Sequence, residues 1–453
     1  MCLGGFCYAG GNGGGSGGSG GAGGAGGMGG YGGSGGSGGA GGAGGMGGSG
    51  GSGGSGGAGG AGGSGGAGGS GGAGGGSSDT LAPQLLSMSL TPATLDVTAA
   101  SQSLTFTAVA TDDLSGVSSI YVYAESPTGG QTRDAYAYPS NRTLGSALNG
   151  TYSFALSMPR FSEAGTWRIT GVDLRDVIGN SRSVVPADLA SMGTPTTFTV
   201  ISTGDVVAPS LSSFSLTPAS VNVTAAAQSI TFSATATDAL SGVSSIYVYA
   251  ESPTGGQTRD AYAYPSNRTS GTAQSGTYSF ALSMPQFSEG GMWRITGVDL
   301  RDVIGNSRSL VPADLTALGS ATTFSVVSTQ DVSAPQLLSF GFTPGTVNTA
   351  ASSQTITFTA RSTDDLSGVS SIYVYAESPT GGQTRDAYAY PSNRISGTAQ
   401  DGNYSFALSV PRYSETGTWR ITGVDLRDVI GNSRSLIPAD VTALGSPTTF
   451  VVQ

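Results

Sequence analysis

Apolar and polar residues alternate along short stretches of this chain. Leu104, Phe106, Ala108 and Ala110 are separated by Thr105, Thr107 and Val109, and Ile120, Val122 and Ala124 by Tyr121 and Tyr123. Tyr152, Phe154 and Leu156 alternate with Ser153, Ala155 and Ser157. A period of two places one set of side chains on one face of a strand and predicts half-buried β-strands. Turn clusters such as Pro127-Thr128-Gly129-Gly130 and Ile178-Gly179-Asn180 separate these runs. Short strands at such spacing predict an all-β fold of antiparallel sandwiches. From Thr166 to Leu174 the inward phase slips: Trp167 and Ile169 hold one face, and Val172 and Leu174 then take it over. One extra residue at Gly171, a β-bulge, accounts for the slip. Trp167 reads as the central core aromatic. Pro186-Ala187-Asp188-Leu189 predicts one helical turn with proline at its first position, and Phe198 and Val200 predict a closing strand.

This pattern occurs three times. Trp167, Trp293 and Trp419 are 126 residues apart, as are Pro83, Pro209 and Pro335. So long a fixed period marks tandem copies of a whole domain rather than a solenoid of small units. The copies are expected at residues 79–204, 205–330 and 331–453, each long enough for its own core. Residues 1–78 form a separate arm of Gly, Ser and Ala. From Gly14 to about Gly75 it runs as Gly-Gly-X triplets, with Ser16, Ala22, Met28 and Tyr31 among the X positions. Such a segment is expected to be a disordered tether, about 65 residues spanning roughly 45 Å root-mean-square. A polyglycine bundle with the X residues along one ridge is the alternative.

Composition removes whole classes of chemistry. The chain has no histidine, and all 18 of its basic residues are arginine. Ser-His-Asp triads, histidine zinc sites, Schiff-base lysines and phosphate-binding P-loop lysines are therefore excluded. A net charge of −10 with dispersed arginines argues against nucleic acid and anionic membranes, and suits divalent cations. No apolar run is long enough for a membrane span. Cys2 and Cys7 lie outside the repeats, in a segment that suits a small disulfide loop or the remnant of a Cys-rich module. No signal peptide is visible before them; the repeats that follow, and not any motif here, make an export signal upstream of Met1 one of two equal expectations.

The series Asp112 to Val117, Gly165-Thr166-Trp167 and Asp176 to Asn180 resembles the Ig-like or fibronectin-III-like tandem repeats of secreted bacterial proteins and surface adhesins. Asp238 to Val243 with Asp302 to Asn306, and Asp364 to Val369 with Asp428 to Asn432, carry it into the other copies, although repeat two reads Gly291-Met292-Trp293. The resemblance covers all three domains and excludes the arm. It implies export to the cell surface or beyond, and calcium at domain joints.

With an Ig-like strand order, Asp79, Asp112, Asp113, Asp176 and Asn180 lie at one pole of repeat one. Asp205, Asp238, Asp302 and Asn306 repeat the set, as do Asp331, Asp364, Asp365, Asp428 and Asn432. Calcium takes six to eight hard oxygens, which such a pole offers. Ala239 replaces one aspartate, so repeat two is expected to bind more weakly. The competing reading is that these residues cap turns. Tyr121, Tyr123, Tyr136 and Tyr138 form a second candidate, a surface for a glycan or a protein partner, repeated at Tyr262, Tyr264, Tyr388 and Tyr390. Cross-strand tyrosine pairing explains the same residues without a ligand. The segment Leu114–Arg142 recurs letter for letter as Leu240–Arg268 and Leu366–Arg394. Glu125, Asp134 and Glu163 are the carboxylates available for glycosidase-type chemistry, but three identical tandem active sites would be unusual, and no enzymatic activity is expected. The expected function is an extracytoplasmic stalk presenting repeated adhesive surfaces; a carbohydrate-binding accessory region of a secreted enzyme is the alternative.

Overall fold

The computed structural model describes residues 78–453; the expectations for the glycine arm and for Cys2 and Cys7 fall outside these residues. The described chain is mostly β, in three repeated units. In the first unit the strands are β1 (Gln84–Thr91), β2 (Thr94–Asp96), β3 (Gln102–Thr111), β4 (Val117–Glu125), β5 (Thr132–Ala137), β6 (Arg142–Gly145), β7 (Asn149–Met158), β8 (Gly165–Asp176), β9 (Ser181–Val184) and β10 (Thr197–Ile201). One sheet has the order β1-β3-β7-β6, and the other has the order β2-β10-β8-β4-β5 with β9 also on β8. All pairings are antiparallel except β2 with β10.

The alternation read from the sequence decides which side chains meet between the sheets. Leu104, Phe106, Tyr152 and Phe154 from one sheet join Ile120, Val122, Trp167, Val172 and Phe198 from the other in one core. Trp167 is fully buried and stacks on Phe198 at 6.1 Å between ring centroids. In β8, Ile169 pairs with Ala124 and Gly171 with Tyr123, so Thr170 is the extra residue of the bulge. That single residue turns Val172 and Leu174 inward after Trp167 and Ile169. The predicted helical turn is a short helix, α1 (Pro186–Ser191), with Leu189 buried beneath it. Each unit has its own core cluster, and no strand pairing crosses from one unit to another.

The two ends of a unit differ. At one end lie the segment before β1, the β3–β4 loop and the β8–β9 turn, an acidic pole. At the other lie the β4–β5 hairpin and the β7–β8 loop. The hairpin end of repeat one rests on the acidic pole of repeat two, and repeat two rests on repeat three in the same way. The units do not run on as an open row, because repeat three docks in turn on the pole of repeat one. Gln383 Nε2 donates to the Asp79 carbonyl at 2.7 Å, and Arg385 donates to the Ile178 carbonyl at 2.6 Å. The three units therefore close into a ring. The reason is geometric: a head-to-tail contact repeated with the same rotation closes when the rotations complete a turn.

Candidate functional site at the joints

Each joint is built around a buried glutamine. Gln131, which follows the Thr128-Gly129-Gly130 turn of the β4–β5 hairpin, is 1% exposed. Its Oε1 accepts from the Glu163 backbone N–H at 2.9 Å, which anchors it within its own repeat. Its Nε2 donates to the Asp205 carbonyl at 2.5 Å and to Asn306 Oδ1 at 3.2 Å, both in the next repeat. Arg133, two residues on, donates to the Ile304 carbonyl at 2.8 Å while its guanidinium lies 5.9 Å from the Trp167 ring centroid. Burial holds the Arg133 guanidinium below the usual arginine range, with Arg301 adding to the effect. Arg259 and Arg385, its equivalents, are pushed down to about 10, again chiefly by burial.

The backbone closes the contact. Phe161 adopts a left-handed conformation, with φ 71°, and its carbonyl accepts from the Asp205 N–H at 2.8 Å. Phe287 and Tyr413 repeat this at φ 71° and 70°, accepting from Asp331 and Asp79. Bulky residues seldom adopt this conformation. Its recurrence at three joints ties the strain, of order 1–3 kcal/mol, to the docking geometry.

The acidic pole lies directly against this contact. In each repeat one carboxylate oxygen from each of three aspartates lies within 4.8 Å of the others: Asp79, Asp112 and Asp176; Asp205, Asp238 and Asp302; Asp331, Asp364 and Asp428. All nine residues are buried. Asp113 and Asp365 are exposed and lie outside these triads, so the change to Ala239 leaves the repeat-two triad whole. Asp79 Oδ2 accepts from the Ser115 N–H at 2.8 Å, and Asp112 Oδ2 from the Gly116 N–H at 2.6 Å. Asp176 Oδ1 accepts from the Asn180 N–H at 2.8 Å. The aspartates thus cap turns and also converge.

Capping does not use all their oxygens. Asp112 Oδ1 is buried without a hydrogen bond, as are Asp238 Oδ2 and Asp364 Oδ1. Asn180 Nδ2 has four oxygens around it: Asp176 Oδ2 at 2.6 Å, the Asp79 carbonyl at 3.1 Å, and Asp79 Oδ1 and the Leu81 carbonyl at 3.4 Å. An amide nitrogen has only two protons to share among them. Burial pushes the Asp176 carboxyl up to about 7, with Asp79 and Asp112 adding to it and the Asn180 hydrogen bond opposing. Asp428 is raised to about 7 and Asp302 to about 6, again mainly by burial. Oxygens within 4.8 Å of one another are close enough to share one calcium ion with ligands at about 2.3–2.6 Å.

The tyrosines lie apart from the joints' buried core. Tyr121 meets Tyr136 edge-on at 5.0 Å and Tyr138 at 6.3 Å, on the outer face of β4 and β5. Tyr136 and Tyr138 are 43% and 44% exposed. Tyr262 and Tyr264, and Tyr388 and Tyr390, repeat the arrangement. Tyr123 instead donates to Asp173 Oδ2 at 2.9 Å. The other carboxylates have structural partners. Glu163 accepts from the Thr128 N–H at 3.0 Å and the Thr128 hydroxyl at 2.8 Å, Glu125 pairs with Arg168 at 3.0 Å, and Asp134 accepts from the Tyr136 hydroxyl at 3.2 Å.

Gln131, Arg133 and Phe161 have no periodic pattern that marks them as joint residues in the sequence. The signal that pointed to two of them is the invariant segment Leu114–Arg142, which contains Gln131 and Arg133. Among the described residues no helix is long and apolar enough to cross a membrane.

A family profile described as a domain of unknown function, DUF7035, matches residues 204–324 and 330–448, more than half of the chain. No curated protein matches it. A similar solved structure is a leucine-rich repeat protein from Bacteroides thetaiotaomicron VPI-5482, at 10% identity and a TM-score of 0.14. The match covers 54% of this chain and 26% of that one. At that score the likeness carries no argument about fold or role.

Proposed function

We propose that this chain, which belongs to the DUF7035 family, is an extracytoplasmic scaffold whose three units are Ig-like sandwiches. Its joints are fixed by divalent cations, with calcium the ion that suits an all-oxygen donor set. The observation that supports this reading best is the buried carboxylate triad at each joint, with one oxygen of Asp112, Asp238 or Asp364 left without a hydrogen bond. Asp79, Asp112 and Asp176 would supply charge to the ion, and the Leu81 carbonyl a further oxygen. Neutralising the carboxylates there would lock the segment carrying Asp205 or Asp331 between two repeats.

The role is structural and adhesive rather than catalytic. Three identical tyrosine faces on one ring would raise avidity for a repeating glycan or surface protein at the cell surface or outside the cell. The deciding measurement is thermal unfolding of the full chain in millimolar calcium and then in excess chelator. A ligand at 100 times its dissociation constant adds about 2.7 kcal/mol per site. A calcium-dependent rise in Tm, reduced by Asp364→Ala, is expected; coincident curves would leave the aspartates as turn caps only.

A second reading, a carbohydrate-binding accessory region, rests on the exposure of Tyr136 and Tyr138. It predicts glycan-array binding that is lost on combined replacement of Tyr136, Tyr262 and Tyr388 by alanine. Binding that survives the triple replacement, or no binding to any glycan, removes it.

A further inference from the structure

Each repeat carries both halves of the same joint. One half is the hairpin end, with Gln257, Arg259 and the Phe287 carbonyl in repeat two; the other is the pole, with Asp205, Ile304 and Asn306. Two of the three joints are crossed by the chain. The third, between repeat three and repeat one, is not, yet it carries the same bonds. Gln383 reaches the Asp79 carbonyl and Asn180 Oδ1 at 2.7 and 3.3 Å, and the Asp79 N–H reaches the Tyr413 carbonyl at 2.9 Å. The connecting peptide is therefore not what sets the geometry of docking.

We infer that this end-to-end contact is a self-recognition interface whose partner is another copy of the same repeat, so that a single repeat released from the chain assembles as a cyclic trimer. The two halves are different surfaces on one unit, which makes the contact heterologous, and a heterologous contact yields either a ring or an open filament. Three units close the ring here, so the rotation at each joint selects three. The groups used are buried and directional: an amide, a guanidinium on a backbone carbonyl, and a backbone pair at a left-handed residue. Each unit also has a separate core, so excision cuts no strand pairing. The inference rests on the hydrogen-bonded contact and not on the proposed cation, which is tested independently.

The experiment is sedimentation of residues 204–330, which keep the peptide N–H of Asp205. Concentrations run from micromolar to about 1 mM, the range of effective concentration that short tethers supply. Each run is made with calcium and with chelator. A monomer–trimer equilibrium in chelator is expected, shifted to monomer by Gln257→Ala with Arg259→Ala while the far-ultraviolet circular dichroism stays native. A folded monomer at every concentration in both conditions, a dimer, or an open-ended series would overturn it. A trimer in chelator combined with no calcium effect would uphold this inference and remove the cation reading. Should the excised repeat not fold, the full chain with Gln383→Ala and Arg385→Ala decides by small-angle scattering. A larger radius of gyration is expected, and an unchanged one would overturn the inference.

Discussion

The joint between repeats one and two and the seam between repeats three and one differ in one respect: a peptide crosses the first and none crosses the second. Their bonds are otherwise matched. Arg133 meets the Ile304 carbonyl at 2.8 Å, and Arg385 meets the Ile178 carbonyl at 2.6 Å. Gln131 and Gln383 each donate to a carbonyl and to an asparagine oxygen of the neighbouring repeat. The comparison teaches that side chains and local backbone conformation hold the ring, while the peptide links only supply local concentration.

The largest expected effect breaks a repeat outright. Trp419→Ala removes a fully buried ring beneath Arg385 and should cost about 3–5 kcal/mol in the third repeat. Because the cores are separate, calorimetry should show one early transition while repeats one and two keep theirs. A single cooperative loss of all three would mean that the ring folds as one unit.

Next in size is the contrast between lesions at the seam and at a tethered joint. Gln383→Ala with Arg385→Ala should separate repeats three and one and enlarge the particle. Gln131→Ala with Arg133→Ala should change its size much less, since the peptide still keeps those repeats adjacent. Equal scattering curves for the two doubles would deny the comparison.

A smaller effect concerns pH. Asp176 and Asp428 have folded values of about 7, above the ordinary carboxyl value of 3.8. In the ion-free protein the folded state therefore binds more protons than the unfolded state between about pH 4 and 7. Their contribution to stability is greatest at the acid end of that window and is lost as pH rises through the folded value. Urea midpoints in chelator should fall from pH 5 to pH 7.5, and Asp176→Asn with Asp428→Asn should flatten the slope. Calcium should act in the opposite direction, gaining affinity as these carboxyls ionise.

The smallest effect belongs to the surface. Arg168→Ala breaks a solvent-facing pair with Glu125 and should change stability by less than about 1 kcal/mol, with no effect on ring closure. A larger loss by urea titration would place the paired ends of β4 and β8 in the joint's mechanics.

Much of each unit was legible from the chain. Alternation at Leu104–Ala110 and Tyr152–Leu156 gave the strands and the inward residues, and the slip after Ile169 revealed the bulge that keeps Val172 and Leu174 facing the core, although the extra residue is Thr170 and not the expected Gly171. The three aspartates of a pole share one end once the strand order is set, and the repeat of their spacing made them visible. Asp113 and Asp365 were grouped with them because sequence adjacency does not distinguish the buried side of a turn from its exposed side. Gln131 was silent because a buried amide has no periodic signature; its role depends on a carbonyl in another repeat.

Sequence by itself determined the three units, their cores and the convergence of acid on each pole, because burial and turn chemistry act over a few residues. Only tertiary structure decided that the units close into a ring. Closure depends on the angle between whole units, fixed by groups as far apart as Gln383 and Asp79, 304 residues away in the chain. An angle of that kind is the sum of many small packing choices and leaves no local pattern to read.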